Sequence, residues 1–404
     1  MKWSIRIQKV SSFLFLFVIS TTCLAQKHAL DASDIKEYTR YFTLNDGFEG
    51  EGAELIKEEL ASSQFVLFGE LHNSQQSALF FNELLKIAAK HRYNTLIAEV
   101  GPFTAEVLMK LSEVPEETTG NLRQLYQRYN SKNNRYPIPF FKGKEDATFL
   151  TTARKLNFDV WGIDQEFALA FPMLFDQLAG LYTGADKGTV NNALEDSKKA
   201  WNKISEKHRS CESLENATIA GFFSLFSSSN AKAQELITAI RKSWQIYCHY
   251  ENGEYGKNNT TRIAYMKENL ERKLEEARQG DQYPKVLIKM GSYHTTKVKS
   301  PIGYKDVGHW VDSLASELGS KSMHIRFMRR YWQGKDQFKS KSYAPVQLFM
   351  TVGLPDQWAL IDLRPIRRKI ASGIWTAKQS EINEIFNHDL MLIAPKDQWV
   401  ENNF

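Results

Sequence analysis

Several familiar catalytic signatures are missing from this chain of 404 residues. There is no GxSxG elbow, no HExxH helix and no P-loop, which argues against a serine α/β-hydrolase, a zincin and an NTPase. Cysteine is scarce, with three in all and none in CxxC spacing, so a zinc ribbon is excluded. A surplus of one charge sign is missing too. The formal balance is +5, and three of those charges, Lys2, Arg6 and Lys9, sit in the N-terminal segment, so the remainder is nearly neutral. The basic footprint of a nucleic-acid-binding protein is therefore absent. Internal repeats and low-complexity tracts are absent as well.

The N-terminal segment combines those three cations with an apolar core from Phe13 to Ile19 and closes on Cys23-Leu24-Ala25. This is the layout of a signal peptide cleaved near Ala25, and its core is too short to be a stable membrane helix. It predicts an exported product, periplasmic or secreted, with no transmembrane helix in the mature chain. Cys23 could instead carry a lipid, although Ser20-Thr21-Thr22 lack the usual lipoprotein pattern. After cleavage only Cys211 and Cys248 remain. In an oxidising compartment they could pair, or they could stay as two buried thiols.

What is present is a recurrence: four short apolar runs, each followed by ionisable residues. Phe65 to Gly69 precedes Glu70 and His72, Thr95 to Ala98 precedes Glu99, Val160 to Ile163 precedes Asp164, and Val286 to Gly291 precedes His294. Runs of this length between helix-period segments predict buried parallel strands, and ligands bind beyond the carboxyl ends of such strands. The predicted fold class is α/β, a mostly parallel central sheet flanked by helices and carrying a helical insertion. Residues 1–25 are the signal peptide and 26–62 a polar lead-in with one amphipathic helix. Residues 63–400 form the α/β domain, with the helical insertion at 168–280. Gln75 to His91 reads as a helix with Leu79, Phe80, Leu84, Ile87 and Ala88 facing inward. The Pro- and aromatic-rich stretch from Arg135 to Phe141 is either cover packed on the core or a lid.

The ionisable residues suggest chemistry. Glu70 beside His72 could tune an imidazole as a proton acceptor. Glu99 ends an apolar run, where a carboxylate is costly unless paired or placed at an open rim. Asp164 could orient a histidine or a substrate hydroxyl, or cap the following helix. His294 occupies the same position on its strand as His72, so two imidazoles could face each other across the rim. Ser292 is a weak nucleophile candidate, because adjacent residues in a turn rarely point together. Arg262, Met266 and Asn269 share one helix face, which places Arg262 near the rim as an anion clamp or a salt-bridge partner.

Taken together, Gly69-Glu70-x-His72, the strand ending in Glu99, Gly162-Ile163-Asp164, the Arg262–Asn269 helix and Gly291-Ser-Tyr-His294 resemble the erythromycin esterase-like family. Phe386 to Ile393 is similar to its closing strand. That family belongs to a wider superfamily with ChaN-like haem-uptake and Tiki-like proteins. The resemblance implies a water-activating His72, partner carboxylates Glu70 and Glu99, and a second histidine, His294. It implies hydrolysis of an ester or lactone in a small-molecule substrate, with no required cofactor. The Tiki-like branch implies instead a divalent metal such as zinc on His72, Glu99 and His294. The ChaN-like branch implies a haem- or ligand-binding protein of the cell envelope, with Tyr293, His72 or His294 as axial ligands. The long helical insertion and the divergent Gly-Ser-Tyr-His segment depart from the family, so the substrate does not carry over.

Overall fold

The computed structural model describes residues 27–44, 47–129, 136–207 and 209–404. The expected signal peptide, with Cys23, lies outside the described residues, as does Arg135. The principal sheet has eight strands, numbered here along the chain: β1 Thr39–Phe42, β2 Phe65–Glu70, β3 Tyr93–Ala98, β4 Asp159–Gly162, β5 Lys285–Gly291, β6 Ser322–Arg329, β7 Trp358–Asp362 and β8 Leu390–Ala394. Across the sheet the order is β1-β7-β8-β6-β2-β5-β3-β4. Every neighbouring pair is parallel except those made by β7. The α/β class, with a mostly parallel sheet between helices, is the one expected.

The apolar runs form strands because both of their faces are covered. Val66 and Phe68 enter one large core, while Phe65 and Leu67 enter another with Val286, Ile288 and Met290. That alternation is the period of two that a pleated strand imposes, with apolar residues needed on both sides. The helix Gln75–Lys90 packs on the first face. Its buried stripe runs through Phe80, Phe81, Leu84, Leu85 and Ala88, whereas Leu79 is 38% exposed. The inward placement of Leu79 is thus corrected, while Phe80, Leu84, Ile87 and Ala88 are buried as expected; Phe81 and Leu85 widen the stripe on the side away from Leu79. The lead-in also contributes more than a helix, since Thr39–Phe42 closes the sheet as an edge strand against β7.

Between β4 and β5 all regular structure is helical, from Phe171–Gly180 through Lys187–Glu206, Ser210–Glu215, Ala217–Ser224 and Ala231–Glu251 to Tyr255–Ala277. Phe171, Phe175, Trp201, Phe223 and Trp244 pack edge to face and in offset stacks at its centre. Cys211 and Cys248 form a disulfide joining Ser210–Glu215 to Ala231–Glu251 across 37 residues of chain. No helix among the described residues is long and apolar enough to cross a membrane.

Closing a loop of that length restricts the unfolded chain by about 4 kcal/mol in the chain-entropy treatment. Cys211→Ser, Cys248→Ser and the reduced protein should each lose stability of that order, read as a lower urea midpoint than that of the oxidised protein.

Candidate active site

The order β2-β5-β3-β4 brings the four strand ends together, so residues far apart in sequence share one rim. At its centre is Glu99, the first residue beyond β3 and only 6% exposed. Its Oε2 accepts the Gly291 backbone N–H at 2.5 Å, and its Oε1 accepts from Arg262 Nη2 at 3.1 Å. The two histidines flank it. His72 Nε2 is 3.7 Å from Oε2 and His294 Nε2 is 3.6 Å from Oε1, close enough for charge attraction and too long for a direct hydrogen bond.

Each imidazole is fixed from behind. His72 Nδ1 lies 3.1 Å from Glu70 Oε1, and His294 Nδ1 lies 2.9 Å from Asp306 Oδ2. An ionised carboxylate only accepts, so Nδ1 is the donor and Nε2 of the neutral ring is left as the base. Glu70 follows Val66 and Phe68 on the same strand face, and Lys289 follows Leu287 on the adjacent strand, so the two meet beneath the rim in a buried ion pair. Ser77 Oγ also donates to Glu70, at 3.2 Å. Burial alone would push the Glu70 carboxyl up, but Lys289 and His72 hold it down at about 2. Burial likewise opposes charge on both histidines and is overcome. Bonding to Glu70 and the charge of Glu99 raise His72 above its ordinary value, while Glu99 and Asp306 raise His294. Glu99 itself, despite burial, is lowered by His294, His72 and Arg262.

Arg262 is positioned by its helix. Met266 is buried one turn on, and Asn269 Nδ2 donates to the Ile163 carbonyl at 3.0 Å, pinning Tyr255–Ala277 to the end of β4. Asp164 then receives Arg262 in a fork, Nε to Oδ1 at 2.9 Å and Nη2 to Oδ2 at 2.5 Å. The expectation that Asp164 might orient a histidine is corrected: it holds Arg262, and Asp306 orients His294. Helix capping by Asp164 is corrected as well, since its Oδ1 receives the Gln165 N–H while Glu166 caps Pro102–Leu111 through Phe103 and Thr104.

The aromatic loop is both core and cover. Ile138 and Phe141 are buried, whereas Phe140 stacks on the His72 ring with centroids 3.8 Å apart and planes 11° from parallel. Phe140 and Asn73 both hold positive φ, at 62° and 60°, and such conformations in non-glycine residues persist where surrounding structure enforces them. Gly291 keeps the centre open, because a Cβ there would lie 2.8 Å from His72 Nε2 and 3.2 Å from Glu99 Oε2.

All six residues singled out in the sequence, Glu70, His72, Glu99, Asp164, Arg262 and His294, therefore converge. Lys289 and Asp306 were missed, whereas Phe140 belongs to the Pro- and aromatic-rich stretch read as core cover or lid. A lysine inside the apolar run Val286–Met290 was a usable signal for the first, and nothing in the sequence pattern pointed to Asp306. Arg262 also lines a cavity of about 880 Å³ walled by Leu169, Trp201, Tyr247, Tyr250 and Asn258.

The donor set fits a metal poorly. His72, Glu99 and His294 do not bring one ligand atom each within 4.8 Å of one another, a condition met among the described residues only by His28, Asp31 and Asp34 near the N-terminus. Glu99 is moreover already neutralised by a guanidinium and a backbone N–H. Tyr293 is 45% exposed on the turn between Gly291 and His294.

An α/β sheet with a carboxylate-backed histidine pair at its strand ends defines the class. Solved structures give the fold its particular character. A Bacillus cereus protein matches with a TM-score of 0.56 at 14% identity, over 92% of this chain and 98% of that one. A succinoglycan biosynthesis protein matches at 0.55 and 12%, over 92% and 97%. A variant erythromycin esterase in its open conformation matches at 0.52 and 13%, over 86% and 94%. The chain shares the fold of these three structures, one of them an erythromycin esterase variant. No family model matches it, and no curated protein matches it.

Lys289→Met should leave Glu70 buried with only His72 and Ser77 to compensate it, and cost up to about 3–5 kcal/mol of stability. The double variant Lys289→Met/Glu70→Gln should recover part of that loss, which chemical denaturation of the three proteins would show.

Proposed function

We propose that the chain is an exported hydrolase that opens an ester or lactone with a histidine-activated water. The carrying observation is the paired arrangement at Glu99: two imidazoles, each held at Nδ1 by its own carboxylate, with both Nε2 atoms turned to a shared centre that Gly291 keeps open. The superfamily fold and the adjoining cavity, whose volume is ordinary for a small-molecule site, support a small organic substrate. The disulfide supports export to an oxidising compartment.

In this reading a water beside His72 Nε2 gives up its proton to that nitrogen as its oxygen bonds to the substrate carbonyl carbon. The carbonyl π pair moves onto oxygen, where Arg262 and protonated His294 stabilise the charge. Arg262 is suited to this because Asp164 and Glu99 hold Nε and Nη2, while Nη1 has no hydrogen-bond partner among the described residues. Collapse of the tetrahedral species breaks the carbon–oxygen bond, and the leaving alkoxide takes the proton back from His72. No covalent acyl-enzyme forms. Because Glu99 already serves a guanidinium, we favour this water-based reading over zinc on His72, Glu99 and His294, and nothing in the geometry favours haem.

Hydrolysis of aryl esters and macrolide lactones should persist with chelator and fall by about 10²–10⁴-fold in His72→Ala. Gly291→Ala should remain folded yet lose activity, its methyl group displacing His72 from the water. Full activity in His72→Ala would refute the assignment. The pH profile gives an independent check. A raised histidine keeps its proton to higher pH and becomes a base only as pH rises through that raised value, so kcat/KM should climb along a limb centred above 6.5, the unperturbed value. Glu99→Gln removes a charge that raises both rings and should move the limb to lower pH.

A further inference from the structure

We propose that a second cavity, on the other side of the Gly291–His294 turn, is a binding site for a small carboxylate or phosphate that also offers a hydroxyl or N–H. It encloses about 280 Å³ between that turn, β6 and the helix Gln379–Asn387, with Ser292, Tyr293, Lys299, Arg326, Glu384 and His388 in its lining.

The groups facing it are built and left unpaired. Arg326 is 9% exposed and His388 2% exposed, yet Arg326 Nε, Glu384 Oε2 and His388 Nε2 are all buried without a hydrogen-bond partner. The nearest approach among them is 3.5 Å, from Arg326 Nε to Glu384 Oε2 and from His388 Nδ1 to the same oxygen. Buried polar atoms are nearly always satisfied, and a buried guanidinium without a hydrogen bond is especially costly. Three such atoms around one cavity point to a partner that comes from outside.

Their chemistry sets its class. The Arg326 guanidinium and Lys299 ammonium supply donors and positive charge, and Ser292 adds a hydroxyl. His388 Nδ1 faces the Glu384 carbonyl at 3.3 Å, so its N–H is spent there and Nε2 is an acceptor. Burial, aided by the Arg326 charge, keeps this ring neutral by lowering it well below the ordinary histidine value. Glu384 Oε2 accepts as well. An oxyanion answers the cations, and a donor on the same molecule answers Glu384 and His388. The wall is preformed: Asn387 Oδ1 accepts from the Val298 and Lys299 N–H groups at 2.9 and 3.2 Å, and its Nδ2 donates to the Lys299 carbonyl at 2.8 Å, fixing the loop that carries Lys299.

Thermal unfolding of the full chain in phosphate, glycolate and acetate at constant ionic strength tests this. Wild-type protein should gain melting temperature with increasing phosphate or glycolate, and less with acetate, which lacks the donor. Whichever of phosphate and glycolate acts at lower concentration identifies the oxyanion. Lys299→Met, at an exposed position, should need severalfold more ligand for the same shift. Arg326→Met should abolish the response at every ligand concentration, measured against its own ligand-free melting temperature, because it removes the guanidinium that the oxyanion answers. No response to any of the three, or an unchanged response in Lys299→Met, would overturn the proposal, and bridging waters would then account for the polar atoms. The readout needs no turnover, so His72→Ala should respond as wild type whether or not the hydrolase reading stands.

Discussion

The geometry of the rim depends on one buried anion. Without Glu99, Arg262 and two proton-holding histidines would converge as like charges in a partly dry space, where repulsion is poorly screened. With it, a carboxylate joins Asp164 in balancing the guanidinium and raises both imidazoles above their ordinary value. A carboxylate costs several kcal/mol to bury unless its lone pairs are filled. Here the Gly291 N–H and Arg262 Nη2 fill them directly. Both partners reach Glu99 because of sheet order: β5 and β4 lie on either side of β3, delivering Gly291 from one and Asp164, which holds Arg262, from the other.

The period of two along each strand then sorts charge onto separate faces. Glu70 and Lys289 lie on the face of the large aromatic core, and the lysine sits over the Phe149 ring at 5.0 Å. Their pairing backs His72 from below the rim. Arg326 stands beside Gly69 in the pairing of β2 with β6, on the opposite face from Ile325 and Phe327, which belong to that aromatic core. Gly69 lets the turn after β5 approach the strand, since a Cβ on it would collide with Thr295 Oγ1 and lie 3.0 Å from Ser292 Cα. The turn after β5 therefore packs directly on the end of β2, with His294 on one side and the lining of the second cavity on the other.

How much of this was legible follows from where each residue gets its position. Glu70, Glu99, Asp164 and His294 were readable because each directly follows an apolar run, and a parallel sheet places such ends on one edge whatever the strand order. The order itself was not readable: β5 lies between β2 and β3, and no local pattern records a partner almost two hundred residues away. Asp306 was missed although it is only twelve residues from His294, because it reaches the imidazole through an irregular loop before capping Val307–Glu317. Lys289 was hidden by its own neighbours, a single cation inside a run that periodicity counts as core. The edge strand Thr39–Phe42 was obscured because half-exposed edge strands lack a continuous apolar run. The two cysteines could be counted, and only the helix packing brought them together.

Identities of 12–14% with proteins sharing this fold say little about substrate, because a fold and the site grafted on it vary independently. In this chain the division is physical. In the proposed reaction the strand ends carry the proton chemistry, while every residue lining the larger cavity comes from Gln165 or beyond, in the helical stretch ahead of β5. Arg262 is the member of the strand-end cluster that lines that cavity, so recognition and chemistry meet at one guanidinium. Asp164 and Glu99 fix the plane of that group, and the disulfide ties together two helices of the wall beside it. Changes in the wall can thus alter what is bound without disturbing the histidines, and changes at Asp164 would disturb both.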